Sequence, residues 1–171
     1  MAILDIKKYP EDVLKKKALP VDAIDDSIQQ LIDDMIETMY AAPGIGLAAP
    51  QVGVSQKVIV IDISSPEEKQ PVIALINPEI LQAEKLSDSE EGCLSIPEYS
   101  VTIKRAERVV VKGLDREGKE VVIEAEGLLA RALQHEIDHL DGLLIVDRMS
   151  SIKREFFRKK YLKQAAQARH S

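Results

Sequence analysis

The chain has 171 residues, 45% hydrophobic and 30% charged, with 4% aromatic residues and no tryptophan, a balance that suits one domain with its own core. No apolar run approaches the roughly 20 residues needed to span a bilayer, and a net charge of −6 argues against a protein that coats nucleic acid with its whole surface. One cysteine, Cys93, excludes an intrachain disulfide and suits a reducing cytosol.

Residues 1–8 lack a basic segment leading into an apolar one, so no secretory signal is expected. Ile24, Ile28, Leu31, Ile32, Met35, Ile36 and Met39 recur at steps of three and four. This spacing predicts an amphipathic helix over about 22–40, with Asp25 and Asp26 near its positive end and Pro43, Gly44 and Gly46 stopping it. Residues 57–63 and 72–76 read as short β-branched strands, punctuated by Ser64-Ser65-Pro66 and Asn77-Pro78. Residues 101–112 and 120–125 alternate as a second pair, joined by a turn at Asp115-Arg116-Glu117-Gly118. A helix is predicted over 128–140 with Gly142 as its stop, followed by strand-like residues 143–147. A final helix over about 152–168 would use Ile152, Phe156, Phe157 and Tyr161 as apolar anchors. With no repeats or linker, the expected fold is α+β: a single domain over 1–171, with short, mostly antiparallel sheets around a central helix, plus the C-terminal helix.

That central helix carries His135-Glu136-Ile137-Asp138-His139. Histidines at i and i+4 share a helix face and can hold one metal ion, while the adjacent glutamate can handle the protons of an activated water. The pattern proposes metal-assisted hydrolysis, which needs a third protein ligand and an open position. The metzincin continuation places Gly142 correctly but puts Ile145, which cannot coordinate, at the third-ligand position. Glu155 is a poor substitute in a basic segment. Cys93, within Glu91-Gly92-Cys93-Leu94-Ser95, is the better candidate, since a metal would deprotonate its thiol and Gly92 permits close backbone approach.

Three motifs in order, Gly44-Ile45-Gly46-Leu47-Ala48-Ala49-Pro50-Gln51, Glu91 to Ser95 and His135 to His139, make the chain resemble the peptide deformylases. The resemblance implies removal of the formyl group from the N-terminal N-formylmethionine of newly made polypeptides, releasing formate. It implies Cys93, His135 and His139 as ligands of one divalent metal ion, usually Fe²⁺ in the family, with Zn²⁺, Ni²⁺ or Co²⁺ also suited to this donor set. Glu136 would act as base and then acid, and the Gln51 amide with the Leu94 N–H would meet the negative charge of the tetrahedral intermediate. Gly44 and Gly46 would let the substrate lie alongside as an added strand, Gly92 would allow its close approach, and Ile45 and Ala132 would wall the methionine pocket. Arg131, one turn before His135, would line the pocket with its stem.

Residues 153–171 hold seven basic side chains against the single acid Glu155, so the rest of the chain carries about twice the net negative charge of the whole. This basic helix is either a solvated face or, by resemblance, a salt-sensitive ribosomal RNA contact through Lys153, Arg154, Arg158, Lys159 and Lys160. A cytoplasmic monomer without membrane association is expected. Two alternatives remain open at this level: an H-E-x-x-H metalloprotease with a non-cysteine third ligand, and a non-catalytic ribosome-associated metal-binding protein.

Overall fold

The computed structural model describes residues 2–169. Five strands form one antiparallel sheet in chain order: β1 (Gly46–Ala48), β2 (Val58–Ile61), β3 (Ile73–Cys93), β4 (Ile96–Leu114) and β5 (Glu120–Glu126). Three α-helices accompany it among the described residues: α1 (Asp26–Ala41), α2 (Gly127–Leu140) and α3 (Ser151–Arg169). The α+β class, the antiparallel pairing and the central helix with the histidine pair match the sequence-based expectation.

β2 shows why an unbroken apolar run can be a strand. Val58 and Val60 join Met35 and Met39 of α1, while Ile59 and Ile61 join Leu133 and Ile137 of α2. The two faces of β2 thus bury against two different helices, so period-2 patterning gives way to continuous hydrophobicity. This three-layer contact fixes α2, and with it the histidines, against the sheet.

α1 starts later than its apolar spacing predicts, because Asp25 takes an extended backbone and caps the helix, its Oδ1 accepting from Ile28 N at 3.2 Å. The preceding segment is held differently, with Val21 N donating to Asn77 Oδ1 at 2.8 Å. Asn77-Pro78 does not end its strand either. β3 runs on to Cys93 through a register shift between Ile76 and Glu79, with Asn77 at φ 53°. A bulge accommodates a proline that cannot donate to the ladder.

Asp115 to Gly118 forms the expected turn, with Asp115 Oδ1 accepting from the N–H groups of Glu117 (2.9 Å) and Lys119 (3.0 Å). Gly142 follows α2 at φ 76°, and a β-carbon there would meet Lys15 O at 2.5 Å, so both backbone angle and space require glycine. The strand-like stretch after it is instead a 3-10 turn, Ile145–Arg148. Leu144, Ile145 and Val146 are buried there with Tyr9, Leu14 and Ile96, and a short apolar run does not itself distinguish strand from turn.

The anchoring of α3 departs from expectation. Phe157 is buried against the rings of Tyr9 and Tyr99, at centroid distances of 5.5 and 4.4 Å. Ile152 and Phe156, by contrast, are 72% and 74% exposed. They sit four residues apart on a face that α3 does not turn toward the body; Tyr161's side chain lies outside the described residues. Among the described residues, no helix is long and apolar enough to cross a membrane.

Candidate metal centre

β3 and β4 are joined by only Leu94 and Ser95, so Cys93 stands at the tip of a long hairpin that folds onto α2. There Cys93 Sγ lies 3.4 Å from His139 Nε2, and ligand atoms of Cys93, His135 and His139 all fall within 4.8 Å of one another. One soft thiol and two imidazoles at this separation suit a borderline divalent cation. The donor set therefore fits the metal that the sequence proposes.

The two imidazoles are prepared differently. His135 Nδ1 lies 3.0 Å from Glu91 Oε1, which makes Nδ1 the donor and turns Nε2 toward the thiol. Burial works to lower the pKa of His135, but its hydrogen bonds to Cys93 and Glu91 outweigh that and hold it well above the usual histidine value. A cation bound at Nε2 would replace that proton. His139, 1% exposed, is held well below its usual value by burial and by the positive charges of His135 and Arg105, so its ring is neutral and ready to ligate. Its Nδ1 is buried without a hydrogen-bond partner among the described residues.

Glu136 is 4% exposed, and its Oε1 also lacks a hydrogen-bond partner among the described residues. Burial pushes this carboxyl up to about 7, close to the pH at which one group can both accept and return a proton. The carboxylate fits beside β1 because position 46 is glycine; a β-carbon there would collide with Glu136 Oε2.

Gln51 is 1% exposed, in the short 3-10 turn Ala49–Val52. Its Oε1 accepts from Ala48 N at 2.9 Å, and this orients Nε2 toward Ser95 Oγ (3.2 Å) and Cys93 Sγ (3.7 Å). The N-terminal segment ties the two loops together, with Lys7 N donating to Gln51 O (2.6 Å) and Tyr9 N to Ser95 O (2.8 Å).

A cleft of about 840 Å³ opens over these groups. Ile45, Gly46, Gly92, Leu94 and Ala132 line it with Gln51, Cys93, His135 and Glu136, while His139 lies beneath. Arg131 also lines the cleft, and its side chain has no hydrogen bond or ion pair among the described residues. The residues that the sequence singles out thus lie together, in the cleft or directly beneath it. The protease alternatives for a third ligand do not: Ile145 is packed in the core and Glu155 is exposed on α3.

Sequence reasoning missed the ionic frame behind the histidines. Arg105, 3% exposed, donates from Nε and Nη2 to Glu91 (both 2.9 Å) and from Nη1 to Asp138 Oδ2 (2.5 Å). Against burial, His135 and Arg105 hold the Glu91 carboxyl down at about 2. Glu91 and Asp138 lay inside the motifs, and Arg105 shares strand parity with Val101 and Ile103, a charge on an apolar face that is itself a signal of buried pairing.

Residues 3–155 match the model of the polypeptide deformylase family, a match that ends near the start of α3. A peptide deformylase of Thermodesulfovibrio yellowstonii is 64% identical over 161 residues, which cover 94% of this chain and 98% of that protein. The crystal structure of a Legionella pneumophila peptide deformylase superposes with a TM-score of 0.88 at 50% identity, covering 98% of each chain. That of an Ehrlichia chaffeensis peptide deformylase in complex with actinonin gives 0.89 at 40% identity, covering 96% of this chain and 98% of the other.

Proposed function

The chain belongs to the polypeptide deformylase family and is a hydrolase that removes the formyl group from newly made polypeptides, and from this premise we propose how its residues divide the work. The carrying observation is the convergence of the Cys93 thiol, the imidazoles of His135 and His139, and the Glu136 carboxyl, whose Oε1 has no hydrogen-bond partner among the described residues. Cys93, His135 and His139 would hold one divalent cation, Fe²⁺ being the ion expected in the cell, with Zn²⁺, Ni²⁺ and Co²⁺ also suited to this donor set. Such an ion lowers the pKa of water from about 15.7 to near 7.

Glu136 takes the proton of the attacking water. As the water oxygen bonds to the formyl carbon, the Gln51 Nε2–H and the Leu94 N–H donate to the oxygen that gains charge. The C–N bond then breaks, Glu136 returns the proton to the departing amine, and formate and the free methionine N-terminus are released. Ile45 and Ala132 wall the methionine side chain, and the backbone at Gly46 and Gly92 pairs with the substrate main chain, which lets one site serve many sequences.

Residues 1–171 work as a single catalytic unit, monomeric and cytoplasmic. α3 supplies a salt-sensitive ribosome contact, a reading supported by the exposure of Lys153, Arg158, Lys159 and Lys160 beside Ile152 and Phe156. A variant ending before α3 that still co-sediments with ribosomes at low salt would overturn this contact. For the activity, formyl-Met peptide is supplied to anaerobically purified, metal-analysed protein and released formate is measured. Abundant formate from wild type and little from Glu136→Gln is expected; no formate from metal-replete wild type refutes the assignment.

A further inference from the structure

The ionic frame behind His135 does not end at Arg105. Asp138 is 6% exposed and receives a second guanidinium, that of Arg148, from the 3-10 turn that leads into α3. Arg148 Nη2 donates to Asp138 Oδ1 at 2.6 Å and Nε to Oδ2 at 3.0 Å, a paired grip on one carboxylate. The same Oδ2 accepts from Arg105 Nη1, Arg105 holds both oxygens of Glu91, and Glu91 Oε1 holds His135 Nδ1. Five charged or ionisable side chains therefore run unbroken from the base of α3 to a candidate metal ligand.

Charge explains why one arginine is not enough. Glu91 and Asp138 are both buried carboxylates, and Arg105 alone offers the two of them a single guanidinium. Buried charges are costly without full pairing. Arg148, with its side chain 44% exposed, supplies the second guanidinium from the rim and remains partly hydrated. Without it, two carboxylates compete for one guanidinium, Arg105 is drawn toward Asp138, and Glu91 loses the fixed position from which it aims His135.

We infer that Arg148 is a positioning residue for the metal centre, acting through Asp138, Arg105 and Glu91 on the orientation of His135. This rests on the proposed Cys93–His135–His139 ligand set. Direct outer-shell partners of a metal ligand typically contribute roughly 10- to 100-fold in metal affinity, so Arg148, further along the chain of contacts, is expected to contribute roughly 3- to 10-fold.

Cobalt(II) is the probe, titrated into the full-length protein against a competing chelator while thiolate-to-cobalt absorption is recorded. Wild type should show a band that Cys93→Ala abolishes. Arg148→Met should bind cobalt several-fold more weakly with a shifted band, Arg148→Lys should lie between, and denaturant unfolding of each variant reports folding separately. With Asp138→Asn already present, adding Arg148→Met should change nothing further. Unchanged affinity and spectrum in Arg148→Met overturn the inference, as does an equal loss in the Asp138→Asn background. Absence of any Cys93-dependent band in wild type overturns the ligand set itself.

Discussion

The carboxylate of Glu136 fills the space that a side chain at Gly46 would need. The first and third motifs are thereby interlocked by shape, and the same holds between the first and second, where a β-carbon at Gly44 would meet Leu94 Cδ1 at 2.8 Å. These glycines let the walls of the cleft close around its reactive groups.

Gly46→Ala should therefore displace Glu136 without touching a metal ligand. A misplacement of about 1 Å costs on the order of 100-fold in rate, so kcat should fall by about that factor while metal content stays at the wild-type level. Formate release together with metal analysis checks this; normal kcat would mean that the carboxylate moves aside freely.

Glu136→Gln keeps the side chain's shape and removes its ability to carry a proton. Metal content should be retained and kcat should drop by about 100- to 10,000-fold, the usual contribution of a positioned acid–base group. If the variant instead loses its metal, Glu136 belongs to the ligand set rather than to proton transfer.

Gln51→Ala removes the Nε2 donor and the partner of Ala48 N at once. A loss of about 100- to 1,000-fold in kcat is expected, as for single oxyanion donors elsewhere. The comparison with Gln51→Glu is informative, because a carboxylate would keep the contact with Ala48 N yet repel the developing charge. Both variants should be impaired, and an active Gln51→Glu would remove Gln51 from that role.

Much of this site is legible in the sequence because its chemistry is local. His135 and His139 share one helix face by periodicity alone, with Glu136 next to the first, and Cys93 stands out as the single thiol beside a glycine. The frame behind them depends on contacts between residues 91, 105, 138 and 148, whose distances in sequence no local pattern encodes. The fold divides the same way. α2 and its glycine stop follow from periodicity, whereas the continuation of β3 past Asn77-Pro78 depends on a bulge paired to β4, and the exposure of Ile152 and Phe156 depends on which face of α3 meets Tyr9 and Tyr99.

Tyr40 at the end of α1 donates its hydroxyl to Asp62, and Asp62 N donates to Ile45 O (2.8 Å) on the wall of the cleft. The bond to the Asp62 carboxylate, with some burial and the charge of Asp62, pushes the Tyr40 phenol up to about 12 from its usual value of 10.0. Because the folded-state value is raised, the associated stabilisation is fully present below about 10, the unfolded value, and is lost as the pH rises through about 12. Tyr40 is half-exposed, so the contribution is modest and screened by salt. Phenolate absorbance followed across an alkaline titration should show one tyrosine ionising near 12, and Asp62→Asn should bring that step back toward 10. A Tyr40→Phe variant should lose the late step altogether, and persistence of that step would assign it to another tyrosine.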